Sequence, residues 1–277
     1  MIGQIALKKK IQAIIEMNKM PRFCLFVGIP GSGKKTFMRW VAKQLPAYHT
    51  IEFSDCKADT VRKMIEESYR NVSPTIYIMP DIQNMSAVAK NAILKITEEP
   101  PNKAYFLFSV SSIENTLETV KSRSVVFNML PYSKEELSEY LDKQTIRIDN
   151  AGKHFILDIS NTIADVKNLL SIDFDAFQQY VELVFNKIAT VSGPNSFKMS
   201  DKLALKNEED KYDLGLFFQA FQALCLQHMI GVDLEDEERY FEGVQITSKY
   251  AQELQITGIN KQMLIDGFIL DIRKAWM

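Results

Sequence analysis

The stretch Arg22-Phe23-Cys24-Leu25-Phe26-Val27-Gly28-Ile29-Pro30-Gly31-Ser32-Gly33-Lys34-Lys35-Thr36 decides the fold. Its first half, Arg22 to Gly28, is a short apolar run rich in aromatic and branched residues and predicts a buried strand. Its second half has the spacing G-x-x-x-x-G-K, and a helical pattern follows from Lys34 to Leu45. A glycine-rich turn between strand and helix is the form of a phosphate-binding loop. The glycines let backbone N–H groups turn inward around phosphate oxygens. The helix N-terminus adds positive potential and Lys34 adds a point charge. A tight Pro-Gly turn is the purely structural alternative. Gly28, Gly31, Gly33, Lys34, Lys35 and Thr36 are the candidate nucleotide-binding residues.

The position after Lys34 departs from the pattern. A Ser or Thr hydroxyl ligates Mg²⁺ there in metal-dependent loops. Here it is Lys35, with Thr36 one residue later. A helix turns about 100° per residue, so Thr36 cannot simply take over. Lys35 brings a second cation where a metal would sit. That leaves phosphate binding open and puts metal-assisted hydrolysis in doubt.

Outward from the loop the chain alternates. Thr50–Phe53 reads as a second strand. Asp59–Tyr69 reads as an amphipathic helix, with Val61, Met64 and Ile65 on one face and Asp59 as its cap. Thr75–Met79 is a buried strand. Ala87–Ile96 is a helix stopped by Pro100-Pro101. Ala104–Val110 and Ser124–Phe127 complete the strands. Strands alternating with helices imply an α/β fold around a parallel sheet covered on both faces.

From Ser133 onward the periodicity is helical. Ser133 and Glu136 have capping-box spacing and open a helix to Leu141. Helices follow near Ile163–Leu170 and over Phe174–Ile188, the latter ended by Ser192-Gly193-Pro194. Three more cover Leu214–Ile230, roughly Glu237–Glu253, and Asn260–Trp276. The division is an α/β domain over 1–132, a small helical domain over 133–172 and an all-helical domain over 173–277.

Composition bounds the classes of function. At 277 residues the chain suits two or three domains. With 46% hydrophobic and 25% charged residues it is neither disordered, collagen-like nor a disulfide scaffold. Cys24, Cys56 and Cys225 are too few and too scattered for a disulfide framework or a four-cysteine zinc site. With no disulfide framework, the cytoplasm is the expected compartment. The apolar run Ile11 to Ile15 is too short for a signal-peptide core. Leu214 to Val232 carries no charged residue, but Gln219, Gln222, Gln227 and His228 are costly in lipid. A buried helix is the expectation, and no membrane.

Charge is uneven. Residues 1–50 hold nine basic residues against Glu16, a net +8, while the remainder is −10. A basic pole suits phosphate or nucleic acid; for Lys8-Lys9-Lys10 a solvated helix face serves equally well. His49, His154 and His228 have no partners at metal-ligand spacing, and no metal site is expected. Phe217, Phe218, Phe221 and Leu224 form a helical apolar face and read as core. Asp233 to Glu242 reads as a solvated helix start. No nucleophile–base constellation is visible.

A second strand end carries chemistry. In hydrolysing P-loop proteins an apolar strand ends in an Asp that holds Mg²⁺, usually beside an acidic neighbour. Here Ile76-Tyr77-Ile78-Met79-Pro80-Asp81 offers one carboxylate where two are needed. Spacing to later motifs puts Pro80 at the metal position. The other register puts Ile82 at the catalytic position. Either one breaks the pair.

At this point the residues carry a resemblance. Asn91-Ala92-Ile93-Leu94-Lys95-Ile96-Thr97-Glu98-Glu99-Pro100-Pro101 resembles the N-A-L-L-K-x-L-E-E-P-P segment of bacterial clamp-loader ATPases, which are AAA+ proteins. Thr119-Val120-Lys121-Ser122-Arg123-Ser124 resembles their S-R-C motif, with Ser for Cys. Gly3-Gln4, Gly28 to Thr36, and Asp59-Thr60-Val61-Arg62 also fit. Detailed likeness covers about 1–170 and is strongest to the delta-prime branch.

The resemblance implies an AAA+ P-loop domain with a helical lid and a helical collar. It implies a hetero-oligomeric ring with clamp-loader subunits of the gamma/tau and delta types, inside the DNA polymerase III holoenzyme. It further implies that the ring loads a sliding clamp onto primed DNA. Arg123 takes the place of the arginine that reaches into a neighbour's ATP site, where a guanidinium stabilises the transferring phosphoryl group. The family's four-cysteine zinc module is missing, since only Cys56 lies in its place, so no zinc is expected. The lid position that should hold a nucleotide-sensing arginine falls on Ala164. Ser111 and Ser112 are the candidates for the polar sensor after the strand Ala104–Val110. Together these departures imply weak ATP or ADP binding and no intrinsic hydrolysis. The alternatives are an active AAA+ ATPase with an atypical metal site and an unrelated P-loop binding protein.

Overall fold

The computed structural model describes residues 2–45, 48–116, 118–144, 148–190, 199, 212–254, 256 and 258–277. Five strands form one sheet: β1 (Phe23–Val27), β2 (His49–Glu52), β3 (Thr75–Met79), β4 (Ala104–Val110) and β5 (Val125–Asn128). Their order is β2-β3-β4-β1-β5, and every pairing is parallel. Parallel neighbours need crossovers. Helices α1 (Ile5–Glu16), α2 (Lys34–Lys43), α3 (Ala58–Arg70), α4 (Ala87–Glu98) and α5 (Glu118–Arg123) alternate with the strands.

Side chains alternate across the sheet, so each strand feeds two cores. Phe23 and Leu25 of β1, Tyr77 and Met79 of β3, and Phe106 and Phe108 of β4 face Val61 and Met64 of α3 and Ile93 and Ile96 of α4. Phe106 stacks between Phe23, at 4.9 Å, and Tyr77, at 5.3 Å. On the opposite face Cys24, Phe26, Ile76, Ile78, Leu107 and Phe127 meet Ile11 of α1 and Phe37, Met38 and Val41 of α2. Two-sided burial explains why the strands read as continuous apolar runs.

The strands Thr75–Met79 and Ala104–Val110 lie where the sequence puts them. Asp59 does not cap α3. Lys57 holds the N-cap position, and Asp59 lies inside the first turn, 3.4 Å from Arg62. The Asp55 carboxylate serves the turn instead, accepting from the Lys57 N–H at 3.0 Å and the Thr60 hydroxyl at 2.7 Å. The run of lysines 8–10 lies on α1.

Packing divides the chain into two units. The first takes Met1–Lys143 with Asn161–Ala164; the second takes Gln144–Ser160 with Asp165–Met277. In the first unit α6 (Lys134–Asp142) opens on the capping box read from the sequence. The Ser133 N–H donates to Glu136 at 3.1 Å, and the Glu136 N–H donates to Ser133 Oγ at 3.3 Å. The second unit contains α7 (Asn150–Ile159), most of α8 (Ile163–Leu170), α9 (Phe174–Lys187), α10 (Leu214–His228), α11 (Leu234–Glu253) and α12 (Lys261–Trp276). The Ser192-Gly193-Pro194 stop lies outside the described residues.

The aromatic face of α10 is core, as its spacing indicates. Phe217, Phe218 and Phe221 are fully buried around Phe268 of α12, and Phe221 also stacks on Trp276 at 5.6 Å. His228 stacks on Phe185 at 5.0 Å. Among the described residues no helix is long and apolar enough to cross a membrane.

One ion-pair cluster ties α2 to the edge strand β2. Glu52 accepts two hydrogen bonds from Arg39, both at 2.6 Å, and lies 2.9 Å from Lys35 Nζ. The Arg39 guanidinium, with Lys35 assisting, holds the Glu52 carboxyl down from its ordinary 4.5 to about 2. A depressed carboxyl contributes stability that is complete above its unfolded value and is lost as pH falls through the folded value. Glu52→Gln should therefore lower the melting temperature at pH 7. The difference from wild type should close as pH falls from about 4.5 towards about 2. A difference that stays constant across that window would contradict the assignment.

Candidate functional site

A parallel sheet gathers the C-terminal ends of its strands on one edge, and ligands bind in the crevice there. Here that edge brings together the loop after β1, Pro80-Asp81 after β3, and the end of β4. The Gly28 N–H donates to the Val110 carbonyl at 3.2 Å, which anchors the loop to β4. Gly31 and Gly33 have φ of 80° and 81°, left-handed values that favour glycine. They turn the backbone into α2, with Gly33 at its N-cap.

Lys34 is 8% exposed and reaches back into the loop. Its ammonium donates to the Gly28 carbonyl at 2.7 Å and the Ile29 carbonyl at 3.1 Å. An ammonium has three N–H groups, so one remains for a ligand. Ser32 is fully buried, and its Oγ has no hydrogen-bond partner among the described residues. Burial pulls the Lys34 pKa down, and the Asp81 carboxylate opposes that shift. The loop thus keeps the geometry of a phosphate cradle.

The metal side differs. Lys35 does not stand over the loop as a free second cation: Glu52 takes its ammonium, because a carboxylate at the end of β2 lies within reach of the first turn of α2. Thr36 is exposed on α2. Pro80 is buried directly after β3 and carries no side-chain ligand atom. Asp81 is exposed in a left-handed conformation, φ 53°. Its N–H donates to Ser109 Oγ at 3.0 Å. Among the described residues no group of His, Cys, Asp or Glu is arranged to hold a metal ion. These residues do not fit a P-loop Mg²⁺ site.

Ser109 is the polar residue of β4 that meets this strand end. It is buried, one turn of the pleat before the two serines singled out from the sequence. Ser112 is used elsewhere, capping a short 3₁₀ turn by accepting from the Glu114 N–H. The signal for Ser109 is that it is the lone aliphatic hydroxyl in an apolar strand.

The crown of the loop is covered. A Cβ added to Gly31 would lie 2.6 Å from Thr162 Oγ1 and 2.9 Å from the Ala164 methyl. Ala164 thus touches the loop but offers no side-chain donor to a phosphate. Tyr132, missed in the sequence, buttresses the other side. Its hydroxyl donates to the Ser32 carbonyl at 3.2 Å. Burial raises its pKa, with Glu136 adding to the shift, so it remains a donor. Its ring packs so tightly on Gly3 that a Cβ there would lie 2.5 Å away. Gln4 donates to the Leu130 carbonyl at 2.6 Å. The Gly3-Gln4 segment, Tyr132 and the loop form one continuous contact.

Arg123 ends α5, and its side chain is 38% exposed. Nη1 donates to the Thr119 carbonyl at 3.3 Å, and Nη2 lies 3.6 Å from Glu98 Oε1.

Comparison with known proteins agrees with this geometry. Residues 57–133 match the family described as DNA polymerase III, delta subunit. The chain is similar to DNA polymerase III subunit delta' of Buchnera aphidicola subsp. Baizongia pistaciae, 26% identical over 174 residues, which cover 58% of this chain and 52% of that one. It is also similar to subunit gamma of Buchnera aphidicola subsp. Schizaphis graminum, 25% identical over 203 residues, 61% of this chain and 56% of the other. The chain thus spans about half the length of these relatives. The replication factor C small subunit of Saccharolobus solfataricus is 25% identical over 286 residues, 96% of this chain and 82% of its own. The crystal structure of a DNA polymerase III gamma subunit-related protein from Thermotoga maritima shares the fold. Its TM-score is 0.52 at 15% identity, covering 97% of this chain and 99% of that one. Loop, sheet order, motifs and relatives converge: the chain is similar to AAA+ proteins of the clamp-loader type.

Proposed function

We propose that this chain is a delta-prime-like subunit of a DNA polymerase III clamp loader. It lends an arginine to a neighbour and does not hydrolyse ATP. The observation that carries the reading is an asymmetry. The chain's own loop has a phosphate cradle with no metal-holding partner, while Arg123 is solvent-accessible at a helix end. Lys35 is drawn onto Glu52, Pro80 replaces a carboxylate, and Ala164 replaces a donor. Three losses around one site favour a subunit that acts on another's nucleotide.

In this reading residues 1–132 are the nucleotide-binding-like domain, 133–172 the lid and 173–277 the collar that joins a hetero-oligomeric ring. The partners are gamma/tau-type and delta-type subunits in the cytoplasm. The assembled ring acts on a sliding clamp and primed DNA. Gly28, Gly31, Gly33 and Lys34 hold phosphate weakly, and Arg123 works in trans as the catalytic group. A guanidinium there stabilises negative charge on the transferring phosphoryl group of the adjoining site.

Two measurements test it. Mg²⁺ should not tighten ATP binding to the isolated chain. Calorimetric titration with and without the metal checks this, and a tenfold tightening, about 1.4 kcal/mol, would refute it. In a reconstituted loader Arg123→Ala should depress ATP hydrolysis at the adjoining site, where removal of trans arginines elsewhere costs about 10³–10⁵ in rate. Arg123→Lys should also fail, because an ammonium lacks the planar fork. Lys34→Ala should barely change turnover. A crippling Lys34→Ala beside a silent Arg123→Ala would reverse the roles and favour an active ATPase.

A further inference from the structure

Glu98 occupies an electrostatically poor place. It is the last residue of α4, where the helix macrodipole presents its negative end. A carboxylate there gains from a neighbouring cation, and α4 packs against α5. The cation is Arg123. Its guanidinium has two partners in its own chain: Nη1 donates to the Thr119 carbonyl at 3.3 Å, and Nη2 is ion-paired with the Glu98 carboxylate at 3.6 Å. The first contact turns the side chain back along α5, and the second ties it to the end of α4. A bidentate contact with a phosphate of another subunit through both Nη atoms would compete with the Glu98 contact at Nη2.

Resting on the trans-arginine reading above, we propose that Glu98 is a positioning residue that holds the Arg123 guanidinium at the end of α4 and cedes it to a nucleotide phosphate of the neighbouring subunit. The exposures make the exchange feasible. Glu98 is 60% exposed and Arg123 38%, so their attraction is screened and modest. A triphosphate carries several negative charges, and guanidinium–phosphate contacts are frequently bidentate. The carboxylate therefore loses the competition when phosphate is present and wins when it is absent. The arginine is kept in one place in the unassembled chain without being withheld from the ring.

The signature is a change in apparent nucleotide affinity rather than in the chemical step. In the reconstituted loader, Glu98→Gln removes the competing charge and keeps the shape. It should lower the KM for ATP by about two- to fivefold, the scale of an exposed ion pair, with kcat unchanged. A merely structural role would instead lower kcat or the melting temperature. Removing a carboxylate from a helix C-terminus should leave the melting temperature equal or higher. The double variant Glu98→Gln/Arg123→Ala isolates the route, since the Glu98 effect should vanish without the arginine. An unchanged or raised KM in Glu98→Gln, beside a damaging Arg123→Ala, overturns the Glu98 assignment alone. So does an effect that persists in the double variant. A silent Arg123→Ala overturns the trans-arginine reading and this assignment together.

Discussion

Everything in the first unit depends on β1 being paired on both sides by parallel neighbours. Val27 sits opposite Val110 of β4 and Asn128 of β5. That register fixes where the backbone leaves the sheet. The Gly28 N–H and the Val27 carbonyl make the last bonds on either side, to Val110 and from Met129. One residue later the chain must turn into α2, and only left-handed glycines make that turn without strain. The turn that forms the proposed phosphate cradle follows from the end of a ladder. So does its neighbourhood, because β3 and β4 end on the same edge.

The chemistry of the site is then set by which charges are already engaged. Lys34 is committed to its own loop through two carbonyls, which fixes its position without neutralising it. Lys35 is committed to Glu52, together with Arg39. Arg123 is tied more loosely to Glu98 across an exposed surface. The degree of burial separates the roles. A buried ammonium bonded by its loop is a fixed part of the cradle, whereas a screened guanidinium is free to exchange partners.

Much of this was legible in the sequence, for definite reasons. Thr75–Met79 and Ala104–Val110 are buried on both faces, so their apolar runs end where burial ends. The box Ser133–Glu136 was legible because its two hydrogen bonds need only residues three apart. Asp59 was misplaced because several polar residues compete for one cap, and backbone conformation at Lys57 decides between them. Lys35 and Tyr132 were misread or missed for a different cause. Their partners, Glu52, Gly3 and Ser32, are distant in sequence and adjacent only after the sheet forms. Ser109 carries a local signal, a hydroxyl in an apolar strand, whereas the family pattern points two and three residues further on, to Ser111 and Ser112.

The central claim is that the chain keeps the phosphate half of a nucleotide site and has lost the metal half. The most direct test is ATP turnover by the isolated chain in Mg²⁺, compared with Lys34→Ala. The account predicts no turnover above background in either protein. Turnover that is present in the wild type and abolished by Lys34→Ala would contradict it.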